Sequence, residues 1–309
     1  MNYKGIFSRL AGEAYGRRVA GLAVLLFSGL LWSLSAVAQN NEGPAAPGPC
    51  PQIAPPDPEL LSEIRELSFK PGIKLEPSDF MKDPRIANFI AEMMTREQLI
   101  KQTDWAGLCR YREANAELIK TNIRPEVVFL GDSITENWIY AAPKMFSQQV
   151  IDRGIGGQTS SQMLLRFYPD VVALGPKLVH IMAGTNDLLQ NAGPIRDDDI
   201  VNNIEAMLDI AQANNIKVVL ASILPISVRS WQPALQPAQR IIKLNARLKG
   251  VATARGIRFI DYFSVLKSKS NGLNAELGND GVHPNRAGYA LMEPLAIGAI
   301  KGALPLLPR

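Results

Sequence analysis

The chain has 309 residues, 47% of them hydrophobic and 20% charged, with a formal net charge of +4. That length leaves room for one large domain or two modest ones, and the apolar content is that of a globular protein with a sizeable core. The charge excludes a nucleic-acid partner on composition, because most of the excess lies in the first 38 residues and such a partner requires a strongly basic face.

In residues 1–38, Lys4, Arg9, Arg17 and Arg18 stand against Glu13 alone and precede the apolar run from Val19 to Leu34. Ala36-Val37-Ala38 then has the small-x-small form of a signal-peptidase site, so the segment reads as a secretory signal cleaved near Ala38. The apolar run falls short of the roughly 20 residues that span a bilayer. No membrane span is therefore expected in the mature chain, which is placed in a bacterial periplasm or the outside medium.

Residues 39–58 are rich in proline, glycine and alanine and read as an extended linker. The chain has two cysteines, Cys50 and Cys109. Both enter an oxidising compartment on export, where a disulfide between them is one outcome and two free thiols the other. Neither has metal-ligand spacing.

Residues 59–123 form a helical N-terminal extension. Asp83-Pro84 is a cap followed by a first-turn proline, and Ile86, Phe89, Ile90, Met93 and Met94 share one helical face. Thr95 with Gln98 has capping-box form, and Trp105, Leu108, Tyr111 and Leu118 extend an apolar stripe read as packing.

From residue 124 the rhythm changes to short β-rich runs: Val127 to Leu130, Gln149 to Arg153, Leu178 to Met182, Lys217 to Ile223 and Ile257 to Asp261. Ile200, Ile204, Met207, Leu208 and Ala211 line a helix before the fourth run. Ile241, Leu244, Leu248 and Val251 line another before the fifth. Strand, helix, strand alternation implies an α/β fold with a parallel sheet covered on both faces. Asp197-Asp198-Asp199 precedes the helix near Ile200 and reads as charge at the positive end of a helix dipole rather than a metal site.

Ligands bind beyond the carboxyl ends of the strands in such sheets. The exits carry Gly131-Asp132-Ser133, then Gly154 to Thr159, then Ala183 to Asp187, and later Asp280-Gly281-Val282-His283. These are the parts for acyl transfer. Ser133 is the nucleophile and needs a base, for which His283 is the candidate, since the other histidine, His180, lies inside an apolar run. Asp280 can fold back to accept the Nδ1 proton. The backbone N–H groups of Ser133 and Gly157 and the amide of Asn186 are the candidate oxyanion donors. Gly154-x-Gly156-x-x-Thr159 lacks the third glycine of a dinucleotide fingerprint and no phosphate loop occurs, so no cofactor is expected.

In this chain order the blocks GDSIT at Gly131, RGIGGQT at Arg153, AGTND at Ala183 and DGVHP at Asp280 resemble the four signature blocks of the SGNH, or GDSL, hydrolase superfamily. The resemblance implies a flavodoxin-like three-layer α/β/α domain over 124–309 with five parallel strands in the order 2-1-3-4-5. It implies Ser133, His283 and Asp280 as the catalytic residues, with Gly157 and Asn186 in the oxyanion hole and no metal. The sequence around GDS and GTND is similar to the branch of platelet-activating-factor acetylhydrolase-like and bacterial carbohydrate esterases. The implied substrate is a small ester or acetylated glycan. The alternatives are a lysophospholipase or thioesterase, an O-acyltransferase using the same serine, and an inactive glycan-binding protein.

Overall fold

The structure is a computed structural model, and it describes residues 50–51, 56–73, 82–227 and 237–304. The signal expected at 1–38, most of the linker, and residues 228–236 lie outside the described residues. In chain order the elements are α1 (Pro58–Phe69), α2 (Pro84–Thr103), α3 (Arg112–Lys120), β1 (Val127–Gly131), α4 (Ser133–Ala141), β2 (Val150–Gly154), α5 (Ser160–Asp170) and β3 (Leu178–Met182). They continue with α6 (Thr185–Leu188), α7 (Asp197–Ala213), β4 (Lys217–Ala221), α8 (Pro237–Ala254), β5 (Arg258–Ile260), α9 (Tyr262–Leu266) and α10 (Arg286–Ala303).

The five strands form one parallel sheet in the order β2-β1-β3-β4-β5. Successive side chains of a strand point to opposite faces, so each strand feeds two cores. Val128, Leu130, Val179, Ile181 and Leu220 pack with Met163 and Phe167 of α5, Ile204 and Met207 of α7, and Ile241 and Leu244 of α8. Phe129, Leu178, Met182 and Val219 face the other way, against Ile134 and Trp138 of α4 and Tyr289 and Met292 of α10. β1 and β3 are buried along their whole length, as central parallel strands covered on both faces must be. Gly131 is in register with Gly154 on one side and Met182 on the other. The exits of β1, β2 and β3 are therefore level, and the loops that follow them leave the sheet side by side.

The N-terminal helices show both agreement and correction. Asp57 and Asp83 cap α1 and α2, each accepting a first-turn N–H at 2.9 Å ahead of a proline. Such caps contribute about 1 kcal/mol each. No helix starts at Thr95: α2 runs through it, and the Thr95 hydroxyl donates to the Ala91 carbonyl at 3.0 Å. The stripe expected beyond α2 is broken by a turn in which Asp104 accepts the N–H groups of Leu108 and Cys109, both at 2.8 Å. Trp105 and Leu108 consequently lie 44% and 40% exposed rather than in a core. Cys50 and Cys109 are both disulfide-bonded.

The aspartates at 197–199 form the first turn of α7 rather than preceding it, and they pair with Arg240, Arg247 and Arg196 respectively. His180 is fully buried, as its neighbours in sequence suggest. Burial drives its pKa down to about 3, so it is neutral, with Nε2 3.1 Å from the Tyr262 hydroxyl. No described helix is long and apolar enough to cross a membrane.

Candidate active site

β1 ends at Gly131, and Asp132 caps the helix that follows, its Oδ1 accepting the N–H of Ile134 at 2.9 Å. Ser133 is thereby the first residue of α4, at a helix N-terminus where the backbone N–H has no intrahelical acceptor. The close helix-to-sheet packing explains the glycine at the end of β2: a Cβ on Gly154 would lie 2.1 Å from the Glu136 backbone nitrogen.

The Ser133 hydroxyl lies 2.8 Å from His283 Nε2, and His283 Nδ1 lies 2.6 Å from Asp280 Oδ2. Asp280 turns back on its own loop: its Oδ1 accepts the N–H groups of Val282 and His283 at 2.9 and 2.8 Å, across Gly281 at φ 80°. Burial raises the Asp280 pKa, but the His283 charge and these hydrogen bonds outweigh it and hold the carboxyl well below its usual range. An ionised Asp280 keeps the proton on Nδ1 and leaves Nε2 to face the serine. The loop is anchored next door by Asn279, whose amide donates to the carbonyls of Lys70 at 2.7 Å and Ser68 at 2.9 Å at the end of α1.

Gly157 has φ 78°, a left-handed conformation that suits glycine. No described residue accepts from its N–H. Asn186, on the first turns after β3, reaches the same group, but its amide is engaged: Nδ2 donates to the Gln158 carbonyl at 3.1 Å and to Asp132 Oδ2 at 3.3 Å. The longer contact is the weaker one. Burial raises the Asp132 pKa to about 6. Asp187 accepts both the N–H and the hydroxyl of Ser160, at 2.8 and 2.6 Å, and so joins the loop after β3 to the start of α5.

Ser133, His283 and Asp280 are therefore joined at one rim of the sheet, with Gly157 and Asn186 on the neighbouring strand exits. Three that were not singled out hold them there. Asn191 donates to Asn186 Oδ1 at 2.7 Å and so sets which way that amide faces. Arg166 is fully buried and donates to the carbonyls of Gly131 at 2.9 Å and Arg153 at 2.8 Å, to Asp170 at 2.9 Å and to Gln158 Oε1. Gln158 itself sits within the glycine loop. An arginine four residues before an aspartate on a helix is visible in sequence, but that it faces inward is not. Cavities of about 800 and 130 Å³ lie elsewhere, beside Lys217 and Arg255 and beside Asn245 and Asp261 respectively.

Comparison with known proteins agrees with this geometry. The model of the GDSL-like Lipase/Acylhydrolase family matches residues 129–291, just over half of the chain. A Bacteroides fragilis protein described as a candidate acylhydrolase is 45% identical with a TM-score of 0.61, over 64% of this chain and 98% of its own. A GDSL-like lipase from Bacteroides thetaiotaomicron is 42% identical, also with a TM-score of 0.61, over 65% of this chain and 100% of its own. A Streptococcus pneumoniae structure described under platelet activating factor, 22% identical with a TM-score of 0.58 over 68% of this chain and 98% of its own, shares the fold. The Bacillus subtilis uncharacterized lipoprotein YqeF is 30% identical over 119 residues, 33% of this chain and 49% of that protein. The chain thus spans about half the length of this curated relative. With the family model running from the end of β1 into α10 and thereby enclosing every strand exit that carries a polar group, this chain belongs to the GDSL-like lipase/acylhydrolase family and is a hydrolase of that family.

Proposed function

We propose that this protein is an exported serine esterase that removes short acyl groups, O-acetyl above all, from carbohydrate through an acyl-enzyme. The observation that carries the reading is the unbroken relay from Ser133 Oγ through His283 to Asp280, with spacings of 2.8 and 2.6 Å. His283 Nε2 takes the serine proton as Oγ attacks the acyl carbon, and Asp280 stabilises the imidazolium. The oxyanion is met by the N–H groups of Ser133 and Gly157 and by Asn186 Nδ2. Collapse expels the alkoxide, which leaves as an alcohol with the proton from His283. Water then attacks the acyl-enzyme with His283 again as base, returning the serine and releasing the carboxylic acid.

The preference for a short acyl chain rests on the likeness of the blocks around Gly131-Asp132-Ser133 and Gly184-Thr185-Asn186-Asp187 to the acetylhydrolase-like and carbohydrate esterase branch. Export is supported by the apolar N-terminal segment with its small-x-small site, by the disulfide-bonded cysteines and by the likeness to a lipoprotein. In this reading residues 1–38 are the signal, 39–58 a linker, 59–123 a helical extension and 124–309 the hydrolase domain. The proposal is tested by turnover of nitrophenyl esters of increasing chain length and of acetylated oligosaccharides, with Ser133→Ala as control. Fast acetate release that dies away with chain length is expected. A preference for long acyl chains would favour the lysophospholipase or thioesterase reading, and full activity in Ser133→Ala would end both.

A further inference from the structure

We infer that Gln158 is a positioning residue for the oxyanion donors, and that it works by tying the glycine loop to the N-terminal turn 104–109, so that a segment outside the family domain is a working part of the active site. The inference rests on the catalytic roles proposed above and goes beyond them. Gln158 follows Gly157 directly, is buried, and has every polar group engaged. Its Oε1 accepts from Arg166 Nε, its Nε2 donates to the Ala106 carbonyl at 2.9 Å, its carbonyl accepts from Asn186 Nδ2 at 3.1 Å, and its N–H donates to the Ile155 carbonyl at 3.3 Å. One side chain therefore lies between a buried guanidinium, which also grips the exits of β1 and β2, and a backbone carbonyl on the extension. Its main chain at the same time fixes the Asn186 amide.

The extension meets this loop closely and repeatedly. A Cβ on Gly107 would lie 2.6 Å from Gln158 Nε2 and 3.0 Å from Ile155 Cδ1, and Gly107 has φ 71°. Gln162, whose Oε1 accepts the Thr159 N–H at 2.9 Å, donates through Nε2 to the Trp105 carbonyl at 2.7 Å. The Tyr111 hydroxyl donates to the Gly154 carbonyl, and Arg110 pairs at 3.0 Å with Glu136, which in turn accepts the Gly156 N–H at 2.8 Å. Residues 154–162 are thus held by the extension through three direct hydrogen bonds, at Gly154, Gln158 and Gln162, and through Glu136 at Gly156. The Gly157 N–H is useful to an oxyanion only if its direction is fixed before the reaction, and displacements near 1 Å cost about 100-fold in rate.

The test uses the full chain with two variants that disturb the contact from opposite sides. Gln158→Glu keeps an acceptor for Arg166 but loses the donor to Ala106. Gly107→Ala changes only the extension and forces its turn off Gln158. With folding checked by circular dichroism, each is expected to lower kcat on nitrophenyl acetate by about 10- to 100-fold. KM should stay within about twofold and the pH midpoint of kcat/KM should not move, since the Ser133, His283 and Asp280 relay is untouched. A purely structural role predicts a lower Tm with kcat unchanged, and that outcome in both folded variants overturns the inference. An active wild type with unimpaired variants removes this inference alone, whereas a wild type that neither hydrolyses esters nor reacts at Ser133 removes the proposed function with it.

Discussion

The Asn191 side-chain amide donates to Asn186 Oδ1 at 2.7 Å, and with the Gln158 carbonyl and Asp132 Oδ2, which accept from Asn186 Nδ2, this bond fixes which end of the Asn186 amide is nitrogen. An oxyanion needs donors whose orientation is settled beforehand. Asn186→Ala is therefore expected to lower kcat by about 10²- to 10³-fold with KM little changed, and Asn191→Ala by a smaller factor. Steady-state kinetics on a small acetate ester measure both, and an Asn191→Ala enzyme that loses more than Asn186→Ala would mean that the amide is not the group being oriented.

In the mechanism proposed above, Asp280 keeps His283 in the tautomer whose Nε2 faces Ser133. Asp280→Asn is expected to lower kcat by up to about 10⁴-fold while leaving the fold in place. Its effect on stability has a definite sign. Because the folded carboxyl is held below its ordinary value of 3.8, its stabilising contribution is present above that value and is lost as pH falls through the folded pKa. The stability gap between wild type and Asp280→Asn should accordingly narrow in acid. Thermal melts of the two proteins across the acid range check this, and a gap that widens as pH falls contradicts it.

Asp152, on β2, shows the opposite sign. Burial, reinforced by nearby Glu136 and opposed by the Gly154 N–H and by Arg153 and Arg166, raises its pKa from 3.8 to about 7, and its Oδ2 has no partner among the described residues. Between those two values the folded state retains a proton that the unfolded state has lost, so this group's contribution falls as pH rises across the window. Relative to wild type, Asp152→Asn should gain Tm between about pH 4 and pH 7 and change no further above it. Melting curves for the pair in matched buffers test this, and a difference independent of pH would show that Asp152 is ionised in the folded protein throughout.

The Arg166 and Asp170 pair is buried at 0% and 2% exposure with a spacing of 2.9 Å. Removing one member leaves the other charge buried and uncompensated, so Arg166→Met is expected to cost about 3 to 5 kcal/mol. Urea unfolding with an unchanged slope would report it, and a loss below about 1 kcal/mol would mean that the site relaxes to admit water.

Much of this was legible because the information is local. Each apolar run from Val127 on became a strand within two residues of its expected ends, and Asp83-Pro84 capped the helix it announced. Ser133, Gly157 and Asn186 follow the ends of β1, β2 and β3, which parallel topology and register bring level, whereas Asp280 and His283 lie beyond β5 and α9 and reach the same rim through the path of their own loop. What escaped depends on distant partners. The exposure of Trp105 results from a turn knotted by Asp104 and packed on Gln158, and neither contact leaves a periodic mark in the sequence. Thr95 has the residues of a helix start, yet tertiary packing of Ile86 and Phe89 and the good helix formers beyond let α2 continue through it. Arg166 reads as an ordinary surface arginine until the fold places two strand ends around it.

A Ser133 hydroxyl activated by His283 attacks a fluorophosphonate, and intact-protein mass spectrometry after exposure to that reagent measures the activation directly. One adduct per chain, located by peptide mapping to Ser133, absent in Ser133→Ala and strongly slowed in His283→Ala, is the expected result. A folded wild-type protein that takes no adduct, or takes it at another residue, contradicts a nucleophilic Ser133.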